Sequence, residues 1–174
     1  MRRSVCLFCF GICFAAGCEI ALAQTPPDLA AGPVPPEIRT AASIFVSNAG
    51  SDSGLFPEPF SGDTNRPYNE FYAALKTAGR YQLVVAPSGA DLVLELRLFA
   101  PYGPFNANKQ HGASDPLPML RLVIYDRKTH YVLWAFTESV DAAVLQRTHD
   151  RNLDNAITKI VGDFENVSGA PATP

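Results

Sequence analysis

Alternating apolar positions predict five short strands along this chain. The most regular stretch runs from Asp91 to Phe99, where leucine occupies every second position and polar and apolar residues share the others. Because successive side chains of a strand point to opposite faces, one face of this strand should pack on a core and the other should be partly wet. The remaining predicted strands are Ser43–Ser47, Tyr81–Val85, Met119–Tyr125 and Tyr131–Glu138.

Two other segments repeat their apolar residues at helical spacing. The first follows Pro67, which suits a first helical turn, and ends before Gly79, a common stop residue. The second carries a nearly unbroken apolar stripe over residues 153–167, and Thr148 or Asp150 could cap its start. Both segments are predicted to be amphipathic helices.

The order strand, helix, four strands, helix predicts an α+β domain at residues 41–167. Two amphipathic helices and a sheet with one leucine-rich face can bury their apolar surfaces as a two-layer sandwich. We expect a mostly antiparallel five-stranded sheet with both helices on one face. Only the first two strands, joined through a helix, should run parallel, and the last two should form a hairpin around residues 126–130.

The first 23 residues have the pattern of a signal peptide. Met1–Arg3 is basic, and the apolar run of residues 4–17 is shorter than the about 20 residues that span a bilayer. Ala21 and Ala23 then supply the small residues that signal peptidase recognises, with Gln24 next. We predict export and cleavage before Gln24.

The cysteines leave an alternative open at the same segment. Cys18 follows two small residues, as in a lipobox, so lipidation there would anchor the protein to a membrane. All the cysteines of the chain lie within the predicted signal peptide, so the exported domain should contain no disulfide. They are Cys6, Cys9, Cys13 and Cys18.

Composition separates the domain from its termini and argues against one class of partner. Residues 24–40 are rich in proline and should form a flexible linker, and residues 168–174 should be a disordered tail. Without Arg2, Arg3 and Glu19, the 14 basic and 17 acidic residues of the chain become 12 and 16. With no clustered basic face, nucleic-acid binding is not expected.

Three segments resemble a recurrent pattern in small exported bacterial envelope proteins. Gly89–Leu96 has an Ala-Asp-aliphatic strand start, Leu120–Asp126 leads into an Asp-x-x-Thr turn, and Val132–Phe136 contains an aliphatic-Trp pair. The pattern is similar to the N-terminal domain of TolB and to the curli-secretion lipoproteins, over residues 43–167. It implies a fold and a compartment but transfers no catalytic residue. His130 stands where such proteins usually have glycine.

No combination of residues predicts catalysis or metal binding. Asp52 occupies the centre of Gly50–Gly54, where a hydrolase nucleophile elbow would need serine. His111, His130 and His149 are scattered without metal-ligand spacing, and we expect them to be exposed or to cap helices. Catalytic, cofactor and metal sites are therefore not expected.

Two long loops, at residues 48–66 and 100–118, are the sequence feature that indicates a functional surface. They carry Phe56, Phe60, Tyr102 and Phe105 next to prolines. Long loops in compact domains are commonly functional, and aromatic side chains are frequent in protein-binding sites. We predict a partner-binding patch at these four residues. The alternative is that the rings fold back onto the sheet face opposite the helices.

We therefore expect a non-enzymatic exported protein of the bacterial periplasm or exterior. Its domain would bind another protein or another envelope component. Two alternatives remain open: a lipid-anchored accessory subunit of a transport or secretion complex, attached through Cys18, and a hydrolase with a site assembled from loop residues.

Overall fold

A computed structural model describes residues 32–101 and 117–169 of the chain. Short 3-10 turns occupy Ser53–Leu55 and Pro87–Gly89. The helices and strands are α1 (Pro36–Thr40), β1 (Ser43–Ser51), α2 (Arg66–Ala78), β2 (Gln82–Leu83), β3 (Leu92–Phe99), β4 (Met119–Asp126), β5 (Val132–Ser139) and α3 (Gln146–Val167).

The five strands form one mixed sheet in the order β2-β1-β3-β4-β5. The β3–β4 and β4–β5 pairs are antiparallel, which confirms the predicted hairpin, and β1–β2 is parallel as expected. The β1–β3 pair is also parallel, which the sequence analysis did not predict. The reason is that β1 lies between β2 and β3, so these two strands, although consecutive in sequence, never become neighbours in the sheet.

The leucine face of β3 lies at the centre of the core. Leu92, Leu94, Leu96 and Leu98 are each at most 1% exposed, and burial of a leucine side chain contributes roughly 1.5–3 kcal/mol. Both long helices cover this face, as predicted. Their fully or nearly fully buried residues are Phe71 and Leu75 in α2, and Leu153, Ile157, Ile160 and Phe164 in α3.

The short helix α1 lies within the segment that was expected to be a flexible linker. Pro36 begins it, a position where the missing N–H of proline removes no helical hydrogen bond. Ile38 is fully buried in the core, and Val34 packs against the core as well. The folded domain therefore begins before residue 41, because Ile38 and Val34 pack the end of the proline-rich stretch against the core.

The long helix α3 begins at Gln146, earlier than either of the caps predicted for it. Leu145 is its N-cap and makes no side-chain capping bond, while Thr148 and Asp150 lie inside the helix. The carboxylate of Asp150 instead accepts a hydrogen bond from the backbone N–H of Ser61, at 2.9 Å. The predicted capping residue therefore joins α3 to a distant loop.

Candidate partner-binding surface

Three connections meet at one end of the sheet because of the strand directions. The parallel strands β1 and β3 both end there, antiparallel β4 begins there, and β5 ends there. We call the described β1–α2 and β5–α3 connections, residues 52–65 and 140–145, the loop end. Both long loops predicted to form a binding patch start from this end of the sheet.

The aromatic rings of the first loop have different environments. Phe60 is fully buried, and its ring meets the ring of His149 edge-on with centroids 5.9 Å apart. Phe56 is half-buried, at 5.9 Å from the ring of Phe60. Phe60 is thus a core residue that packs against α3, rather than a surface residue or a cover for the opposite sheet face. Tyr102 and Phe105 lie outside the described residues.

Exposed aliphatic residues at the loop end were missed by the sequence analysis. Val144 is 97% exposed and Leu145 is 68% exposed, directly before α3. The adjacent Gln146 donates its side-chain N–H to the carbonyl oxygen of Pro57 at 2.7 Å, which ties the two connections together. The sequence signal that could have found these two residues is their position as an apolar pair before α3, outside the apolar stripe of that helix.

Arg66, the first residue of α2, holds the first loop onto both long helices. Its guanidinium donates to the backbone and hydroxyl oxygens of Ser61, both at 3.1 Å. It also forms ion pairs with Glu70 at 2.7 Å, Asp150 at 2.5 Å and Asp154 at 2.7 Å. Arg66 of α2 thus pairs with both of these aspartates of α3.

Burial and pairing shift the pKa values of this cluster in opposite directions. Burial, together with the nearby carboxylate of Asp154, raises the pKa of Glu70 although its ion pair with Arg66 acts to lower it. Burial also acts to raise the pKa of Asp150, but the hydrogen bonds from Ser61 and Arg66 together lower it below its usual range. For Arg66, burial opposes the charge, and the bonds to Glu70 and Asp150 still raise its pKa. Arg66 therefore remains a cation that is shared by three carboxylates at this junction.

The residues that suggested a hydrolase loop have a structural role. The carboxylate of Asp52 accepts the backbone N–H of Ala100 at 2.8 Å and a guanidinium N–H of Arg97 at 3.4 Å. Ser51 ends β1 and Ser53 begins a 3-10 turn. Asp52 therefore joins the ends of β1 and β3.

The histidines lie in separate parts of the chain and differ in their exposure. His149 is only 7% exposed, which corrects the expectation of an exposed or capping residue, because its ring lies against Phe60 inside the core. His130 is exposed in the hairpin turn, and His111 lies outside the described residues. Within residues 32–101 and 117–169, no group of three His, Cys, Asp or Glu side chains is placed to hold a metal ion.

The motifs behind the family resemblance stabilise the sheet. Asp91 accepts hydrogen bonds from the N–H groups of Ala42 and Ser43 at 3.0 and 2.9 Å, and from the Ser43 hydroxyl at 2.9 Å. These bonds hold the pKa of Asp91 below its usual range. Asp126 accepts the N–H of Thr129 at 2.9 Å and so closes the hairpin turn. Both aspartates therefore have structural roles.

No family model matches the chain, and no curated protein matches it. No helix in the described part of the chain is long and apolar enough to cross a membrane.

Structural comparison finds similar folds in bacterial proteins. A DUF4136 family protein from Bacteroides thetaiotaomicron has 11% identity over 76% of this chain and 91% of that chain, with a TM-score of 0.49. A PelC dodecamer from Paraburkholderia phytofirmans has 14% identity over 71% and 88%, with a TM-score of 0.45. TolB from Acinetobacter baumannii has 14% identity over 71% of this chain and 29% of that chain, with a TM-score of 0.33.

TolB is one of the proteins to which the sequence motifs are similar. At such low identity the likeness concerns the fold, and function has to be argued from the surfaces of this chain.

Proposed function

We propose that this chain is an exported, non-enzymatic envelope protein whose loop end binds another envelope protein. The proposal rests on the exposure of Val144, at 97%, and of Leu145, at 68%. Both lie on the β5–α3 connection, which the Gln146–Pro57 hydrogen bond joins to the β1–α2 connection. Adjacent exposed aliphatic side chains on an ordered loop favour contact with a partner, because their burial removes apolar surface from water.

The ordering of the loop end supports the same proposal. Gln146 joins the two connections, and Arg66 holds the first one to α2 and α3. Binding by a preorganised surface loses less conformational entropy than binding by a mobile loop. Half-buried Phe56 lies in the first of these connections and can add an aromatic contact. For Tyr102 and Phe105, a binding role remains a prediction from the sequence.

The lipid-anchored alternative concerns the attachment of the chain rather than its binding surface. A lipid on Cys18 would place the chain at a membrane as an accessory subunit, and the loop end would still be its proposed contact with a partner. The hydrolase alternative has less support, since Asp52 serves to join two strands.

The test replaces Val144 and Leu145 together by serine. A photo-crosslinker introduced at position 142 should trap a discrete partner in the envelope of the producing cells, and the double variant should lose that crosslink without a fall in Tm. Val85→Ser is the matched control, because Val85 is 95% exposed on the β2 side of the sheet. This control should keep the crosslink.

Two outcomes would contradict the proposal. If the crosslink persists in the double variant, the aliphatic pair is not part of the contact. If Tm instead falls by several degrees, Val144 and Leu145 stabilise the domain, and their exposure has no bearing on binding.

A further inference from the structure

The second edge of the sheet is formed by β5, which has few of the features that protect edge strands. Within the described part of the chain, β5 pairs with β4 along one side, and no strand pairs with its other side. Edge strands are usually protected by lysine, proline, bulges or short length. The eight residues of β5 contain neither lysine nor proline, and the register shift at its start leaves residues 134–139 regularly paired. Six successive residues therefore present an open edge for pairing.

A cleft borders the last three residues of this edge. Residues 137–139 of β5 form one wall, and Asn152, Asn155, Ala156 and Lys159 of α3 form the other. The four α3 residues recur at positions i, i+3, i+4 and i+7, so they make one stripe of the helix. The cleft has a volume of about 470 Å³, within the range of about 300–1,000 Å³ that is usual for ligand sites.

The walls of the cleft are suited to a peptide backbone. Alternate residues of an edge strand direct their N–H and C=O groups away from the sheet, where an added strand can pair with them. Among the described residues, the side-chain amide of Asn155 has no hydrogen-bond partner, and an amide of this kind both donates and accepts. An extended chain in the cleft would thus find polar groups on both walls.

The charges around the cleft favour a basic occupant. Lys159 is its single cation and is paired with Glu138 at 2.5 Å. Asp141 also lines the cleft. Two acidic side chains therefore face one lysine, and electrostatic complementarity favours a segment with positive side chains.

We propose that the cleft between β5 and α3 binds an extended, basic segment of a partner protein, which pairs with β5 as a sixth strand. Strand addition supplies affinity through backbone hydrogen bonds, and the acidic side chains supply specificity. The inference goes beyond the loop end and does not depend on it. Asp141 belongs to both surfaces, so one partner can occupy them together.

The test uses short synthetic peptides and the protein purified from the envelope fraction. One peptide alternates threonine with lysine, and two comparators replace lysine by glutamine or by glutamate. The lysine peptide should bind about tenfold more tightly than the glutamine peptide. It should also shift the backbone NMR signals of residues 134–139 and 152–159. Methylation of alternate backbone nitrogens on its pairing side should abolish binding.

Two variants and a matched control locate the contact. Asn155→Ala should weaken binding of all three peptides severalfold, because the amide contacts the backbone of the peptide. Asp141→Asn should weaken only the lysine peptide. Glu37→Gln removes one negative charge from the exposed surface of α1 and should leave binding unchanged.

Three results would overturn the inference. If no peptide binds at millimolar concentration, the edge is not a strand-addition site. If all three peptides bind equally, the occupant is not selected by charge. If the protein alone forms a dimer in which the amides of residues 134–139 are protected from exchange, a second copy of the chain occupies the edge. A crosslink from position 142 to a different protein would still support the loop-end proposal after any of these results, so the two proposals fail separately.

Discussion

His130 occupies a backbone conformation that glycine usually fills. Its φ is +62°, in the left-handed region, which costs a residue with a Cβ atom about 1–2 kcal/mol. The turn nevertheless forms, because Asp126 accepts the N–H of Thr129 at 2.9 Å and the N–H of His130 donates to the carbonyl of Asp126 at 2.9 Å. His130 in place of the usual glycine therefore adds strain to the turn but does not prevent the turn from forming.

We predict that His130→Gly raises the free energy of unfolding by about 0.5–1 kcal/mol. Relief of the left-handed strain outweighs the greater freedom of glycine in the unfolded chain. Urea unfolding followed by circular dichroism measures the change. The control Thr137→Gly, in a strand, should lower the free energy of unfolding by a similar amount. If His130→Gly destabilised the protein as much as this control, the strain argument would be wrong.

At the scale of elements, the junction of α2 and α3 depends on a single cation. Arg66 binds Glu70 within its own helix and Asp150 and Asp154 across the helix pair. If one member of an ion pair is removed, the other keeps its charge at a site that is only partly open to water, because the Arg66 side chain is 16% exposed. The stability of this junction should therefore depend on pH.

We predict that the stabilising contribution of Asp150 disappears in acid. The pKa of Asp150 is lowered in the folded protein, so the unfolded chain binds its proton more tightly and acid favours unfolding. Its contribution is fully present above the unfolded pKa of about 3.9 and is lost as the pH falls through the lower folded pKa. Asp150→Asn should thus be clearly less stable than the wild type at neutral pH, and the gap should close below about pH 4.

Chemical denaturation across this pH range measures the difference between the two proteins. Glu37→Gln, at an exposed position, should change the free energy of unfolding by less than about 0.5 kcal/mol. A gap between the wild type and Asp150→Asn that stayed constant down to pH 2 would exclude titration of Asp150 as its origin.

At the scale of the whole molecule, the two ends of the sheet carry different parts of the chain. The loop end contains the exposed aliphatic pair, Val144 and Leu145. At the opposite end lie the β4–β5 turn and the start of β1, which follows α1 directly. The chain therefore enters the domain at the end of the sheet away from the proposed binding surface.

We predict that the protein in the envelope fraction starts at Gln24. Cleavage after Ala23 follows from the small residues at positions 21 and 23, which lie outside the described residues. Intact-mass spectrometry of the purified protein measures this directly, and Ala23→Leu should block processing at this site. A chain that starts at Cys18 with the added mass of acyl groups would instead establish the lipid-anchored alternative.

The sequence by itself determined most of the local structure of the domain. The alternating leucines of β3 and the apolar stripe of α3 are periodic patterns within single segments, and both match the structure. Gly79 ends α2 with a left-handed φ of +68°, and the Asp126-Thr129 turn closes the hairpin. These features depend on residues a few positions apart, so their spacing contains the needed information.

Only the tertiary structure decided the contacts between distant segments. The place of β1 between β2 and β3, the burial of Phe60 against His149 and the bonds of Arg66 to α3 each join residues far apart in sequence. The cleft of β5 and α3 likewise exists because two elements lie side by side. Periodicity specifies which face of an element is apolar, but many partners can cover that face. The choice among them follows from the packing of the whole core.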